Sequence, residues 1–378
     1  MIYIGVFFVS SLLLHLSTLS NRLKSRMYLF VSICAPVLLA ALRSECVGID
    51  VGLYVAPLIR VANRMSLPDF IAYTSLDGIE IGYTILTYIC ANYLGGLPAL
   101  LGILQLVIIA CVYTRIRDYK NEAPVIVMSL IYLLLLYNRS LNLVRQCIAM
   151  SIIFYAVPYL KTKRVKFICF VALAMLFHSS AILGIIFLVF DYIASGKLNK
   201  VKTSIAILAI LIAVIYYESI FGALIQFVFG KEAKYLKYIS SVNGGNLSLY
   251  DVVFKGSALL MVVLFAVLNN RQALASVVIN REGTRVRLSG ENTYTFFLLI
   301  SVFNLVLYFL TRINADSYRF SLYFQMMMPV VLPQVRKLFT KKSYILVDIL
   351  LVLLALLNWY IFMIIGDGYG TIPYVFAK

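Results

Sequence analysis

Apolar runs long enough to cross a bilayer recur along the whole chain, and most of them end at a short cluster of Lys and Arg. A hydrocarbon core about 30 Å thick needs roughly 20 apolar residues per helical span. Composition agrees: 62% of the 378 residues are hydrophobic, 13% are charged, and the mean hydropathy is +0.95. A soluble domain is nearer half apolar and a quarter charged, and could not hide so much apolar surface. The expected class is all-α, a polytopic transmembrane helical bundle of about 12 hydrophobic segments. Residues 1–378 read as a single integral membrane domain, with no repeat of fixed period and no linker long enough to split it.

A net charge of +17 would suit a nucleic-acid binder, but the distribution argues against one. Twenty-one of the 33 Lys and Arg fall in six clusters: Arg22 to Arg26, Arg115 to Lys120, Lys161 to Lys166, Lys197 to Lys202, Arg271 to Arg287 and Arg336 to Lys342. Short basic loops beside apolar spans are the signal for the cytoplasmic side. The six cysteines are scattered without a CxxC pair or zinc-type spacing. Met1 to Leu19 has no basic region before it and no clear cleavage site, so it reads as a retained first span.

With all six clusters inside, the spans fall at 2–19, 27–42, 97–114, 123–137, 144–160, 203–217, 251–268, 292–310, 318–335 and 343–365, and both termini lie outside. Outer-face loops are expected over 43–96 and 218–250, with Asn138 to Asn142 as a very short outer turn. Two stretches need separate treatment. Gly82 to Leu94 is short and mixed, and parity is kept if it is an interfacial helix on the outer face. Residues 167–190 keep parity if they form two short limbs meeting near His178. Limbs of about 11 residues cannot cross at 1.5 Å per residue, and such pieces are tolerated where they line a wet cavity or are buried in protein. One continuous helix is the alternative.

Several arginines outside the clusters fall on the outer side, against the usual bias: Arg43, Arg60, Arg64, Arg139, Arg145, Arg312 and Arg319. Charges near a bilayer tend to face a cavity or a partner. Arg43 opens a stretch ending in Gly48-Ile49-Asp50, with Tyr54 beyond; it reads equally as an interfacial Arg paired with Glu45 or Asp50. Glu80 precedes Ile81-Gly82-Tyr83, where the plain alternative is an acid at a helix N-terminus. Arg145-Gln146 opens a span after Asn142. His178 sits among polar residues at the expected apex, although a lone His in a span is usually a packing residue. Arg312 and Arg319 precede Tyr323, which shares a helix face with Arg319; interface anchoring is the alternative for all three. Guanidinium groups suit bidentate capture of phosphate. An outer cavity rich in Arg and poor in acids fits an anionic substrate such as a lipid diphosphate. Most of the 27 tyrosines are expected as interface anchors, with sugar stacking as a second role.

These residues resemble, in order, motifs of the EpsG/Wzy-like family of exopolysaccharide and O-antigen polymerases. The matching patterns are Arg43 with Gly48-Ile49-Asp50 and Tyr54; Glu80-Ile81-Gly82-Tyr83; Arg145-Gln146 with Ala149; Phe177-His178-Ser179-Ser180-Ala181; and Arg319 with Tyr323-Phe324. They cover residues 40 to 325 or so. Cys147 stands where a small or apolar residue is usual, and Ser44-Glu45 separates Arg43 from the glycine unusually. The resemblance implies an architecture like the GT-C membrane glycosyltransferases. It also implies a bacterial cell (inner) membrane location with the site facing the periplasm or exterior. The implied partners are an undecaprenyl-diphosphate-linked oligosaccharide and membrane lipid, and a chain-length regulator is a further expected partner. The implied reaction transfers the growing glycan from its lipid diphosphate to an incoming lipid-linked unit. Arg43, Arg145 and Arg319, with Tyr54, Gln146, Arg312 and Tyr323, are then expected to bind substrate, and Asp50, Glu80 or His178 to act as base. No metal or cofactor is expected. The competing readings are a flippase or transporter of lipid-linked glycan, a membrane acyltransferase, and an O-antigen ligase.

Overall fold

The computed structural model describes residues 2–196, 208, 212, 249–268, 277–279, 285–287, 290–312, 316–366 and 368–377. The described chain is helical apart from one small antiparallel ribbon, Val277–Ile279 against Arg285–Arg287. Among the described residues, six helical stretches are long and apolar enough to cross a bilayer: Ile2–Leu19, Arg22–Ala41, Leu97–Asp118, Val125–Asn142, Thr293–Arg312 and Lys341–Ile365. The chain is a multi-pass helical membrane protein. The expected span 203–217, the cluster Lys197 to Lys202 and nearly all of the outer loop 218–250 lie outside the described residues.

Val125–Asn142 runs through the centre, with 89% of its residues buried. Ile2–Leu19 packs on Arg22–Ala41, which packs on Leu97–Asp118, which packs in turn on Val144–Ala156. Beyond them, Gly290–Phe309 is packed by Leu249–Val267, Asp316–Gln325 and Ile185–Ala194. The outermost helices keep one face bare. On Tyr344–Tyr360, Ile345, Ile349, Leu353 and Leu357 recur every fourth residue and are all exposed, which is one continuous stripe along a helix.

Three expectations about the segments change and a fourth holds. Within the expected outer loop 43–96, residues 43–80 are mostly helical: a π-turn at Val51–Val55 leads into Ala56–Ala62, followed by Leu67–Leu76, while the helix expected at Gly82 to Leu94 is present as Ile81–Tyr93. The outer turn at Asn138 to Asn142 is instead the buried end of the central helix. Asn138 and Ser140 are satisfied laterally. Trp359 Nε1 donates to Asn138 Oδ1 at 2.9 Å, Asn138 Nδ2 donates to Thr371 Oγ1 at 3.1 Å, and Ser140 Oγ donates to Gln105 Oε1 at 3.1 Å. Interhelical bonds of this kind let polar residues sit inside a membrane bundle. The expected span 318–335 is broken into Asp316–Gln325, Met328–Val331 and a 3-10 turn over Leu332–Leu338. Residues 167–190 are two limbs, as the parity argument required: Arg164–Met175 ends before His178, whose backbone is extended, and Ser179–Gly184 leads into Ile185–Ala194.

Three of the basic clusters, Arg22 to Arg26, Arg115 to Lys120 and Arg336 to Lys342, gather at one end of the bundle. Arg117 Nη2 donates to Ser25 Oγ at 3.4 Å, Arg115 binds Asp118 and the Tyr155 carbonyl, and Lys337 binds Glu122. Arg22–Ala41, Leu97–Asp118 and Val144–Ala156 each have one end there. Their other ends carry Arg43, Gly96 and Arg145. At that far end the C-terminal segment folds back over the bundle. The Val375 carbonyl accepts the Ser44 N–H at 2.8 Å, the Leu42 carbonyl accepts the Ala377 N–H at 2.8 Å, and the Gly370 carbonyl accepts the Gly48 N–H at 2.9 Å.

Candidate functional site

The end of the bundle opposite the basic clusters holds an open cleft lined by Asp50, Tyr54, Val55, Asn142, Leu143, Val144, Arg145, Gln146, His178 and Arg319. Its cavity volume is about 80 Å³, and it is a trough open to one side rather than a sealed pocket. The Val51–Val55 π-turn supplies Tyr54 and Val55. The junction between the central helix and Val144–Ala156 supplies residues 142–146. The helix break supplies His178, and Asp316–Gln325 supplies Arg319. π-turns inside helices are frequent at functional sites.

Glu80 stands beside the cleft and fastens it. Its Oε2 accepts Arg145 Nη1 at 2.7 Å. Its Oε1 accepts the Ser179 N–H at 2.8 Å and lies 3.1 Å from His178 Nδ1. Burial pushes the Glu80 carboxyl up, but the His178 hydrogen bond, the Arg145 charge and the Ser179 N–H outweigh it and hold the group down at about 2. An ionised carboxylate only accepts, so His178 must donate through Nδ1, which fixes the ring and leaves Nε2 for other partners. Glu80 thus caps the helical turn that starts at Ser179, not its own helix, where its side chain makes no cap bond. The approach depends on Gly82. The Leu176 carbonyl accepts the N–H groups of Gly82 and Tyr83 at 2.9 and 3.2 Å, and a Cβ on Gly82 would meet that oxygen at 2.7 Å.

Asn142 holds the opposite wall by accepting the Asp50 N–H on Oδ1 at 2.7 Å. Burial pushes the Asp50 carboxyl above its usual range, opposed by the charges of Arg319 and Arg145 and by Asn142. Gln146 Nε2 donates to the Arg319 carbonyl at 2.6 Å. Arg145 is 36% exposed along its side chain and stacks 5.7 Å from the Tyr83 ring centroid, so its remaining donors reach the trough. The cleft therefore offers two guanidinium groups, a carboxyl, an oriented imidazole and an exposed tyrosine ring. Among the described residues no three His, Cys, Asp or Glu side chains gather as metal ligands would.

Of the ten residues singled out from sequence, Asp50, Tyr54, Arg145, Gln146, His178 and Arg319 line the cleft. Glu80 braces it. Tyr323 is one layer below, its hydroxyl 2.9 Å from Ser180 Oγ. Arg312 is exposed on the 3-10 turn Leu310–Arg312 and is not among the lining residues. Arg43 is not brought to the cleft: it is 2% exposed under the C-terminal segment, where its backbone bridges Phe376. Burial lowers its guanidinium to about 10, against the influence of Tyr137, Tyr3 and Tyr374. Asn142 was missed as a site residue. Its signal was the polar run ahead of Arg145, which reads more simply as a turn.

Comparison with known proteins adds one match. The family model described as EpsG family covers residues 26–376, which includes every residue of the cleft. Neither a curated protein nor a solved structure matches the chain.

Proposed function

The chain belongs to the EpsG family, which is linked to exopolysaccharide biosynthesis, and from that premise we propose that it is a polysaccharide polymerase acting on lipid-linked repeat units. The observation that supports this reading is the pairing of Arg145 and Arg319 with Asp50 in one open trough at the end away from the basic loops. By the positive-inside rule that end is the outer one. An architecture of the GT-C kind, with its site at the outer end of a helical bundle, is part of the proposal.

In this scheme Arg145 and Arg319 bind the diphosphate of the polyprenyl donor. As the bond between the anomeric carbon and the phosphate oxygen breaks, its electron pair goes to the leaving diphosphate, and the two guanidinium groups stabilise that charge. The acceptor hydroxyl oxygen forms the new bond to the anomeric carbon. Its proton passes to Asp50. Asp50 suits this task better than Glu80, because a base works best with a pKa near the working pH. Burial raises Asp50, whereas three partners occupy Glu80 and hold it low. Glu80 instead orients Arg145 and His178. Tyr54, 62% exposed, offers a ring face to a sugar.

The test is polysaccharide length on a gel, in cells lacking the gene and supplied with wild type, Arg145→Ala or Arg319→Ala. Wild type should restore a ladder, and either variant should leave single-unit glycan while its protein remains in the membrane. Unchanged length with both variants overturns the reading. Lipid-linked units stranded on the cytoplasmic face of the null strain would show a flippase instead.

A further inference from the structure

The bundle holds a set of buried charges that the scheme above does not use. Arg139, 1% exposed, lies on the last turns of the central helix. Its Nη2 is 3.6 Å from Asp251 Oδ1, and Asp251 Oδ2 accepts the Tyr308 hydroxyl at 3.4 Å. One helical turn beyond Asp251, Lys255 Nζ donates to Asn304 Oδ1 and Gln325 Oε1 at 2.8 Å each and to Ser321 Oγ at 3.2 Å. Three donors meet three acceptors, so the ammonium is fully satisfied. Arg139 is different. Its Nε and Nη1 make no hydrogen bond among the described residues. Its guanidinium carbon lies instead 4.4 Å from the centroid of Phe362 and 5.6 Å from that of Tyr318.

Three segments meet on this one side chain, and each leads within a few residues to a cleft group. Along its own helix, Asn142 comes three residues later. Tyr318 immediately precedes Arg319. Phe362 carries the Tyr369 ring at 5.6 Å, and the carbonyl of the next residue, Gly370, accepts the N–H of Gly48, two residues before Asp50. Asp251 holds the guanidinium from a fourth segment, Leu249–Val267. A buried ion pair adds little net stability compared with apolar packing, but a planar guanidinium takes an acid in its plane and rings on its faces.

The geometry points to Arg139 as a positioning residue that sets Asn142, Arg319 and the Asp50 turn relative to one another. This rests on the cleft being a diphosphate site, so the experiment separates the two claims. Inorganic pyrophosphate is titrated into the purified full chain, and the melting temperature of each variant is recorded alongside. Wild type should bind and Arg145→Ala should not. Arg139→Gln should weaken binding about tenfold or more, the loss expected when a misplaced cleft group forfeits one charge-assisted hydrogen bond to the ligand. Arg139→Lys, which keeps the charge against Asp251 but not the planar fork between the rings, should recover only part of the affinity. Phe362→Leu, which removes one ring but keeps an apolar residue, should weaken binding several-fold, and it carries the test if Arg139→Gln does not fold. Affinity unchanged in Arg139→Gln, or in Phe362→Leu if that is the folded variant, overturns the positioning role. So does equal loss in Arg139→Gln and Arg139→Lys that tracks a common fall in melting temperature. If wild type and Arg145→Ala bind pyrophosphate equally weakly, the diphosphate reading of the cleft fails instead.

Discussion

Two carboxylates, Asp50 and Glu80, carry opposite signs of perturbation, and that difference separates their roles. Burial raises Asp50, whereas the partners of Glu80 overcome burial and hold it at about 2. A base must be deprotonated to act. Polymerisation by the purified protein should therefore decline as pH falls through a point above the ordinary Asp value of about 3.9. Asp50→Asn should cut the rate by about 10²- to 10⁴-fold and remove that acid limb. A variant with the wild-type acid limb would show that Asp50 is not the base. For Glu80 the linkage runs through stability. Its folded pKa lies below the model-peptide value of 4.5, so its contribution is fully present above pH 4.5 and disappears as pH falls towards 2. Because Arg145 is partly exposed, that contribution is on the order of 1–3 kcal/mol. Glu80→Gln should unfold more readily than wild type at neutral pH, with the gap closing on acidification; a gap independent of pH would mean the carboxylate is not what matters. Of the six chosen residues that line the cleft, Arg145, Gln146, His178 and Arg319 were legible as polar or charged groups at or in spans, where the membrane makes such groups costly, whereas Asp50 and Tyr54 came from the motif resemblance.

At the level of elements, the broken helix at His178 could be read from charge parity alone, since a single span would put the next basic cluster on the wrong side. Parity likewise pointed to the helix at Gly82 to Leu94, found as Ile81–Tyr93, but the helices within 43–80 could not be read. Short, mixed segments lack the length and periodicity that identify a span, and their helicity comes from packing on one another. The buried end at Asn138 to Asn142 was hidden for a related reason. Asn138 and Ser140 read as turn residues until Trp359, Thr371 and Gln105 are seen to satisfy them. The contact between Ile81–Tyr93 and the helix break gives an element-level prediction. A methyl group on Gly82 would sit 2.7 Å from a backbone oxygen that cannot yield as a flexible side chain would. Gly82→Ala should push the two segments apart, with a packing cost of roughly 1–3 kcal/mol. It should also loosen the Glu80 bonds to Arg145 and Ser179. Pyrophosphate affinity should fall with it, while Gly5→Ala, at an open position, should leave affinity at the wild-type value. Full affinity in Gly82→Ala would mean the cleft does not depend on this contact.

Over the whole molecule, the C-terminal segment explains why Arg43 misled the sequence reading. Nothing in a linear chain shows that residues 370–377 return to cover residue 43. Once there, they bring Tyr374 alongside Tyr3 at 5.7 Å between ring centroids. The hydroxyls of Tyr3, Tyr137 and Tyr374 all donate elsewhere, to the carbonyls of Thr371, Pro36 and Leu39. Arg43 Nε and Nη1 have no hydrogen-bond partner among the described residues. A buried donor without a partner costs about 1–3 kcal/mol, and replacing it with an apolar group of similar shape can be neutral or stabilising. Arg43→Met should therefore keep the melting temperature or raise it, because the bridge to Phe376 is made by backbone. It should also keep pyrophosphate affinity at the wild-type value. Deleting residues 368–378 should do the opposite on both counts. It removes the Val375 and Gly370 carbonyls that hold Ser44 and Gly48, and with them the placement of Asp50. If Arg43→Met instead lost affinity as fully as Arg145→Ala, the arginine would be a substrate ligand reached when the covering segment lifts. The segment would then be a lid rather than a brace.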